Sequence, residues 1–172
     1  MTDREKFSSI RAVFLDMDGT IYHGGSLYPT TKPFISFLEE RGIPCAYCSN
    51  NTSYSKREYV ARLAKFGLET SEKNFYTATD FLIDTLRAEH PAWKRLYLLG
   101  MPAMAEELRA AGYEIVDDGP DAVVVSFDRQ LVYDRLCRAA YFVREKIPGF
   151  STHPDPFCPS DLPTCLDRKS VV

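Results

Sequence analysis

Two aspartates at the end of a short apolar segment are the residues of this sequence best suited to chemistry. The apolar run from Arg11 to Leu15 leads directly into Asp16 and Asp18. Residues two apart in an extended chain point to the same side, so both carboxylates can face one ligand. One carboxylate can act as a nucleophile and bind a hard cation, while the other transfers protons. Gly19 then allows the chain to turn sharply away.

A second group of polar residues follows the apolar segment from Ile43 to Cys48. Ser49, Asn50 and Asn51 offer hydroxyl, amide and backbone N–H groups that can bind phosphate oxygens. Ligands of open parallel sheets bind beyond the carboxyl ends of the strands, so both polar groups are expected near one site. Alone, an Asp-x-Asp-Gly-Thr string also fits an ordinary strand-to-turn junction. The second polar strand end favours the functional interpretation.

Apolar patterns indicate the elements that carry these residues. The strand that ends at Asp16 is followed by a predicted loop over 18–28 and by a helix that begins near Pro33. The strand over 43–48 is followed by a helix whose apolar face includes Tyr59. This alternation of strand and helix predicts an α/β fold with a parallel sheet.

The second half of the chain repeats the same alternation. Helices are predicted over 78–89, 102–111 and 131–144, and strands over 96–99, 114–116 and 122–126. Five prolines between 148 and 163 then predict a loop or linker.

The composition is that of a globular protein and excludes several classes of function. The 172 residues are 45% hydrophobic and 26% charged, and the formal net charge of -3 offers no basic surface for nucleic acid. No apolar run approaches the roughly 20 residues of a membrane-spanning helix. The N-terminal residues lack the apolar stretch of a signal peptide. With five cysteines, we expect reduced thiols and a cytoplasmic protein that binds neither nucleic acid nor membrane.

Cys45 and Cys48 form a C-x-x-C pattern, which in other contexts binds zinc or runs redox chemistry. Both residues lie on a predicted strand, where a separation of three places side chains on opposite faces. We therefore expect a structural role for this pair.

The string from Asp16 to Thr20 closely resembles the first motif of the haloacid dehalogenase-like (HAD) superfamily. Ser49-Asn50-Asn51 resembles the second motif of its NagD-like, or p-nitrophenylphosphatase-like, branch. The resemblance extends over nearly the whole chain. Tyr22 to Gly25 follows the first motif as in that branch, and residues 127–129 and 150–156 resemble its cap domain.

The resemblance implies a mechanism. Asp16 would attack phosphorus and form an aspartyl-phosphate, and Asp18 would protonate the leaving group and then activate water. Asp16 and the backbone carbonyl of Asp18 would hold Mg²⁺. Ser49 and Asn50, together with Gly19 and Thr20, would bind the phosphoryl group. Superfamily dehalogenases lack the second aspartate, so Asp18 favours phosphoryl transfer.

The resemblance also implies a domain organisation. Residues 1–78 would form the N-terminal part of a Rossmann-like parallel-sheet HAD core. Residues 79–157 would form an α/β cap domain inserted after the second motif. Residues 158–172 would be a return linker and the start of a core helix.

Two motifs of the family are not found in this sequence. Lys169 has no strand before it that would make it the lysine of the third motif, and no acidic cluster follows Asp161 and Asp167 to supply the fourth. We therefore expect an incomplete core and self-association into oligomers. The predicted function is a Mg²⁺-dependent phosphatase for a small phosphorylated metabolite. The alternative is a catalytically incomplete fragment or isoform with a binding or regulatory role.

Overall fold

A computed structural model describes residues 9–152 of the chain. In it the chain divides into two compact units. The first comprises the residues up to Ser49 together with Val60–Tyr76. The second comprises Asn50–Tyr59 together with the residues from Thr77 onward.

The described residues form short strands and helices in alternation. The strands are β1 (Val13–Asp16), β2 (Tyr22–His23), β3 (Ser26–Leu27), β4 (Cys45–Ser49), β5 (Phe75–Thr77), β6 (Arg95–Leu99), β7 (Glu114–Ile115), β8 (Ala122–Val125) and β9 (Gly149–Ser151). The α-helices are α1 (Thr31–Glu40), α2 (Lys56–Lys65), α3 (Ala78–Glu89), α4 (Pro102–Ala110) and α5 (Tyr133–Arg144), and a 3₁₀ turn covers Glu72–Asn74.

The sheet of the first unit brings the two predicted motif strands together. Its strand order is β1-β4-β5, and β1 pairs with β4 in parallel. Leu15 of β1 and Tyr47 of β4 are register partners, and both are buried. Tyr47 also packs on Phe75 with ring centroids 5.2 Å apart. The expected α/β fold with a parallel sheet is confirmed.

The second unit is a three-layer arrangement around a fully parallel sheet. The strand order is β7-β6-β8-β9, and each neighbouring pair is parallel. Apolar residues of α3 and α4 pack on one face, including Leu86 and Leu108, which are fully buried. Ala139 and Phe142 of α5 pack on the other face. A parallel sheet covered on both faces requires apolar residues on both sides of each strand, which β6 and β8 provide.

The structure corrects several predicted boundaries. The predicted loop over 18–28 contains the hairpin of β2 and β3, and the predicted proline-rich loop begins with strand β9. Helix α1 begins at Thr31, two residues before Pro33. A proline in the first turn lacks an N–H that would have no partner there anyway, so the helix can begin earlier.

Helix α5 also begins later than predicted. The prediction started it at Leu131, but Val132 is extended and the helix begins at Tyr133. The predicted linker and core-helix start over 158–172, the end of the predicted cap over 153–157 and Lys169 lie outside the described residues. Within residues 9–152, no helix is long and apolar enough to cross a membrane.

Candidate active site

Asp16 lies at the carboxyl end of β1, and Asp18 follows two residues later. Asp16 is the last residue of the strand and is exposed, and Asp18 is half-buried. Met17 between them is fully buried. Met17 thus anchors the segment, and the aspartates on either side of it are more exposed than Met17.

A tight turn follows the two aspartates. The backbone N–H of Gly19 donates to the carbonyl of Tyr22 at 2.8 Å, and the carbonyl of Met17 accepts from Ile21 at 3.1 Å. Gly19 has a φ of 85°, in the left-handed region that favours glycine. The turn therefore depends on Gly19, and it brings Thr20 back toward β1.

Thr20 contacts the first aspartate directly. Its hydroxyl Oγ1 donates a hydrogen bond to Asp16 Oδ2 at 3.1 Å. This contact orients the carboxylate of Asp16. The family resemblance implies phosphate binding for Thr20, whereas its contact with Asp16 was not expected from the sequence.

Ser49 lies at the same edge of the sheet. Asp16 is the register partner of Cys48, so Ser49 follows immediately after the position opposite Asp16. Ser49 is the last residue of β4 and is only 6% exposed. The expectation that the two motif strands are neighbours is confirmed by the parallel pairing of β1 with β4. Their carboxyl ends therefore lie at the same edge of the sheet.

The thiol beside Asp16 is held in its neutral form. Burial, and secondly the negative charge of Asp16, raise the pKa of the Cys48 thiol. Burial, with a smaller effect of Cys48, also raises the pKa of Cys45. Both cysteines are free, and their raised pKa values keep both thiols protonated at neutral pH.

Five of the predicted site residues therefore lie in the first unit: Asp16, Asp18, Gly19, Thr20 and Ser49. Asn50 is exposed, directly follows Ser49, and is the first residue of the segment that groups with the second unit. Their chemical roles stay predictions. Among the described residues, no group of three or more His, Cys, Asp or Glu side chains is arranged to hold a metal ion.

Comparison with known proteins identifies the family. Residues 13–114 match the family of haloacid dehalogenase-like hydrolases, and this range includes both motif strands. The chain belongs to this family. The resemblance seen at the two strand ends is thus confirmed for the HAD family.

Relatives of this HAD chain include named phosphatases. It is 30% identical to the ribonucleotide monophosphatase NagD of Escherichia coli, over 91% of this chain and 62% of that protein. It is 29% identical to the acid sugar phosphatase of Staphylococcus aureus, over 88% of this chain and 58% of that protein. The 4-nitrophenylphosphatase of Thermotoga maritima superposes with a TM-score of 0.88 at 31% identity, covering 94% of this chain and 61% of that one. The chain thus spans about three fifths of the length of these relatives.

Proposed function

We propose that this HAD chain is, or is part of, a Mg²⁺-dependent phosphatase that hydrolyses small phosphorylated metabolites through an aspartyl-phosphate. The observation that carries the proposal is the position of Asp16 and Asp18 at the end of β1, beside Ser49 at the end of β4. The named activities of the relatives support the reaction class.

Asp16 is the proposed nucleophile. Its Oδ1 attacks phosphorus, a new O–P bond forms, and the bond between phosphorus and the leaving-group oxygen breaks. The hydrogen bond from Thr20 to Oδ2 supports this role, because it holds the carboxylate in one orientation during the attack.

Asp18 is the proposed proton-transfer group. In the first step it donates a proton to the leaving-group oxygen. In the second step it accepts a proton from the water that attacks the aspartyl-phosphate, so that phosphate is released and Asp16 is regenerated. The two-residue separation of Asp16 and Asp18 supports this pairing.

Ser49, Gly19, Thr20 and Asn50 are the proposed phosphate-binding residues. A buried hydroxyl at a strand end, as in Ser49, suits a phosphoryl oxygen. Gly19 and Thr20 are exposed in the turn that directly follows Asp18. Asn50 would contribute its amide from the position directly after Ser49.

The residues present fit a partial Mg²⁺ site. Mg²⁺ prefers oxygen ligands and is commonly held by one or two carboxylates, with water and substrate phosphate completing the octahedron. Asp16 Oδ atoms and the backbone carbonyl of Asp18 are donors of this kind. When bound, Mg²⁺ would offset the negative charge of the phosphoryl oxygens.

The test is hydrolysis of p-nitrophenyl phosphate in the presence of Mg²⁺. Asp16→Asn keeps the size of the side chain but removes the nucleophile, and it should lower kcat by at least about 10³-fold. The matched control is Asp134→Asn, an exposed carboxylate of the second unit, which should leave the rate unchanged. Acid-quenched mass spectrometry should detect one added phosphoryl group on the native chain and none on Asp16→Asn.

The assay is run on the 172-residue chain and on a second form. The second form carries, after Val172, the residues that follow the matched region in a relative. Hydrolysis in either form that Asp16→Asn abolishes supports the phosphatase. Equal hydrolysis by the native and Asp16→Asn chains contradicts it. If neither form hydrolyses the ester, the binding or regulatory alternative is favoured.

A further inference from the structure

The outer face of helix α5, in the second unit, carries a row of exposed side chains. Tyr133 is 76% exposed and Tyr141 is 50% exposed, and Cys137 and Ala140 between them are also exposed. The four residues stand at positions i, i+4, i+7 and i+8, which lie on one face of a helix. We call this face the α5 stripe. The opposite face of the helix packs on the sheet through Phe142.

An open cleft of about 390 Å³ lies beside the α5 stripe. It is lined by two acidic side chains, one basic side chain and part of the helix: Asp118, Asp134, Cys137, Arg138, Tyr141 and Phe142. Arg138 Nη1 lies 4.0 Å from a carboxylate oxygen of Asp118, so these two charges face each other. Asp134 is exposed and, among the described residues, forms no ion pair. The cleft thus presents one negative charge that a positive group can approach.

The charges of α5 make the helix complementary to an antiparallel copy of itself. Asp134 lies in the first turn of the helix and Arg144 lies in the last turn. These two residues are equally far from Ala139 along the helix, and so are Cys137 and Tyr141. A two-fold axis at the level of Ala139 therefore brings Asp134 of one copy opposite Arg144 of the other, and Cys137 opposite Tyr141. Antiparallel helices also place opposite ends of their dipoles side by side.

Arg144 is positioned for such a contact. Its side chain is 74% exposed, and its guanidinium carbon lies 5.3 Å from the ring centroid of Tyr141. The ring and the positive charge therefore form one continuous surface. The ion pair of Arg144 with Glu145, at 3.7 Å, joins two exposed neighbours and contributes little. Ala140 is small and stands next to the two-fold axis, so the two helices can approach to the usual packing distance.

We propose that the α5 stripe binds the α5 stripe of a second copy of this chain, with the two helices antiparallel. The dimer contains two pairs between Asp134 and Arg144, and Tyr141 of each copy enters the cleft of the other. Each contact occurs twice because the interface is isologous. The proposal does not rest on the proposed phosphatase function, since its residues all belong to the second unit.

The size of the surface sets the affinity. A helix of 12 residues is about 18 Å long and about 10 Å wide. The contact is therefore much smaller than the roughly 800 Å² per partner of a standard stable interface. We expect a weak dimer, with a Kd of about 100 μM or above. Hydrolysis assays at low concentration measure single chains, so Asp134→Asn keeps its unchanged rate there.

The first experiment exchanges the two charges and measures association of the full chain by sedimentation, at concentrations up to about 1 mM. Asp134→Arg and Arg144→Asp each bring like charges together and should raise Kd by about tenfold, because two pairs are lost in each dimer. The double variant places opposite charges together again and should recover the native Kd.

The double variant is also a control for helix stability. It has the least favourable charges for the dipole of α5, so its recovery cannot come from a more stable helix. Arg109→Asp is the matched control for the change of charge. Arg109 is exposed on α4, which packs on the other face of the sheet, and this variant should dimerise like the native chain. Urea denaturation checks that every variant is folded.

The second experiment identifies the face that associates by cross-linking with a short bis-maleimide. In the antiparallel pair the two Cys137 residues are roughly 6 Å apart along the helix axes, so the reagent should join them. Mass spectrometry should then detect the peptide that contains Cys137 linked to a second copy of itself, which arises only between two chains. The double variant should give this product, each single variant should give less, and Cys137→Ser should give none.

The cross-link reports the α5 stripe alone, so association through another surface does not affect it. A native chain without the Cys137 cross-link at the highest concentration would overturn the proposal. A double variant that associates no better than either single variant would also overturn it, because the antiparallel pairing requires the recovery.

Discussion

At the scale of single residues, the candidate site is described by the groups that surround the Asp16 carboxylate. Asp16 accepts a hydrogen bond from Thr20, and the thiol of Cys48 is kept protonated by burial and by the charge of Asp16. Asp18 is half-buried, whereas Asp16 is exposed. The two aspartates thus differ in their exposure to solvent, and their separate chemical roles stay predictions.

The proton-transfer role of Asp18 predicts a dependence on the leaving group. Asp18→Asn should lower kcat/KM for phenyl phosphate by about 10²- to 10⁴-fold, the usual contribution of a general acid. The loss should be smaller for p-nitrophenyl phosphate, because nitrophenolate leaves readily without a proton. We use kcat/KM because it reports the first chemical step. Equal losses with both esters would mean that Asp18 does not protonate the leaving group.

At the scale of elements, charged side chains connect segments that are distant in the sequence. Arg135 of α5 joins the loop after β8 to the end of β6 through Asp128 and two carbonyl groups. Glu107 of α4 accepts the backbone N–H of Lys56, at the start of α2, at 2.8 Å. Asp128 is buried and Glu107 is half-buried, so each contact should affect stability in a measurable way.

Removing Arg135 should destabilise the chain strongly. Arg135→Met leaves the carboxylate of Asp128 buried without its partner, and we expect a loss of about 3 kcal/mol in the free energy of unfolding. Arg138→Met is the matched control, because Arg138 lies one turn away and its partners Asp117 and Asp118 are exposed. That change should cost less than about 1 kcal/mol. Urea denaturation measures both, and equal losses would contradict the assigned role.

Glu107 should make stability depend on pH. Burial raises its pKa above the usual 4.5, with the hydrogen bond and charge of Lys56 acting in the opposite direction. The folded chain therefore holds this proton more tightly than the unfolded chain. It loses stability as pH rises through and above 4.5, until Glu107 is ionised in both states.

Glu107→Gln keeps an acceptor for Lys56 but cannot ionise. Its free energy of unfolding should therefore rise relative to that of the native chain as pH increases from about 4 to about 7. The exposed neighbour Glu106 provides the control, since Glu106→Gln should run parallel to the native chain. A difference between Glu107→Gln and the native chain that is constant with pH would show that Glu107 is not perturbed.

At the scale of the whole molecule, an apolar side chain stands exposed on an end strand. In the order β1-β4-β5, β1 is an end strand of the sheet formed by the described residues, and its Phe14 is 72% exposed. An apolar end strand can pair with another chain. This feature agrees with the expected self-association, which stays a prediction.

Self-association through β1 should respond to a charge at Phe14. Light scattering over a concentration series should detect oligomers of the native chain and a shift toward monomer for Phe14→Lys. Phe81→Lys is the matched control, because Phe81 is 63% exposed but lies on helix α3 of the second unit. A native chain that is monomeric throughout, or an equal shift in both variants, would contradict association through this strand.

The sequence by itself determined the positions of the strand ends and the residue types that follow them. Asp16, Asp18 and Ser49 could be found because apolar runs, glycine turns and two-residue alternation are local properties of the chain. The exposure of Phe14, in contrast, could not be read from an apolar run, since the pattern does not say which face of a strand other elements cover.

Only the tertiary structure decided which side chains meet. The contact of Thr20 with Asp16 depends on the path of the turn after Gly19. The placement of Arg129 over Tyr54 joins residues far apart in the sequence. It requires the segment Asn50–Tyr59 to group with the second unit, although it directly follows β4. Such contacts arise from the packing of whole elements, which depends on long-range burial and hydrogen bonding rather than on local pattern.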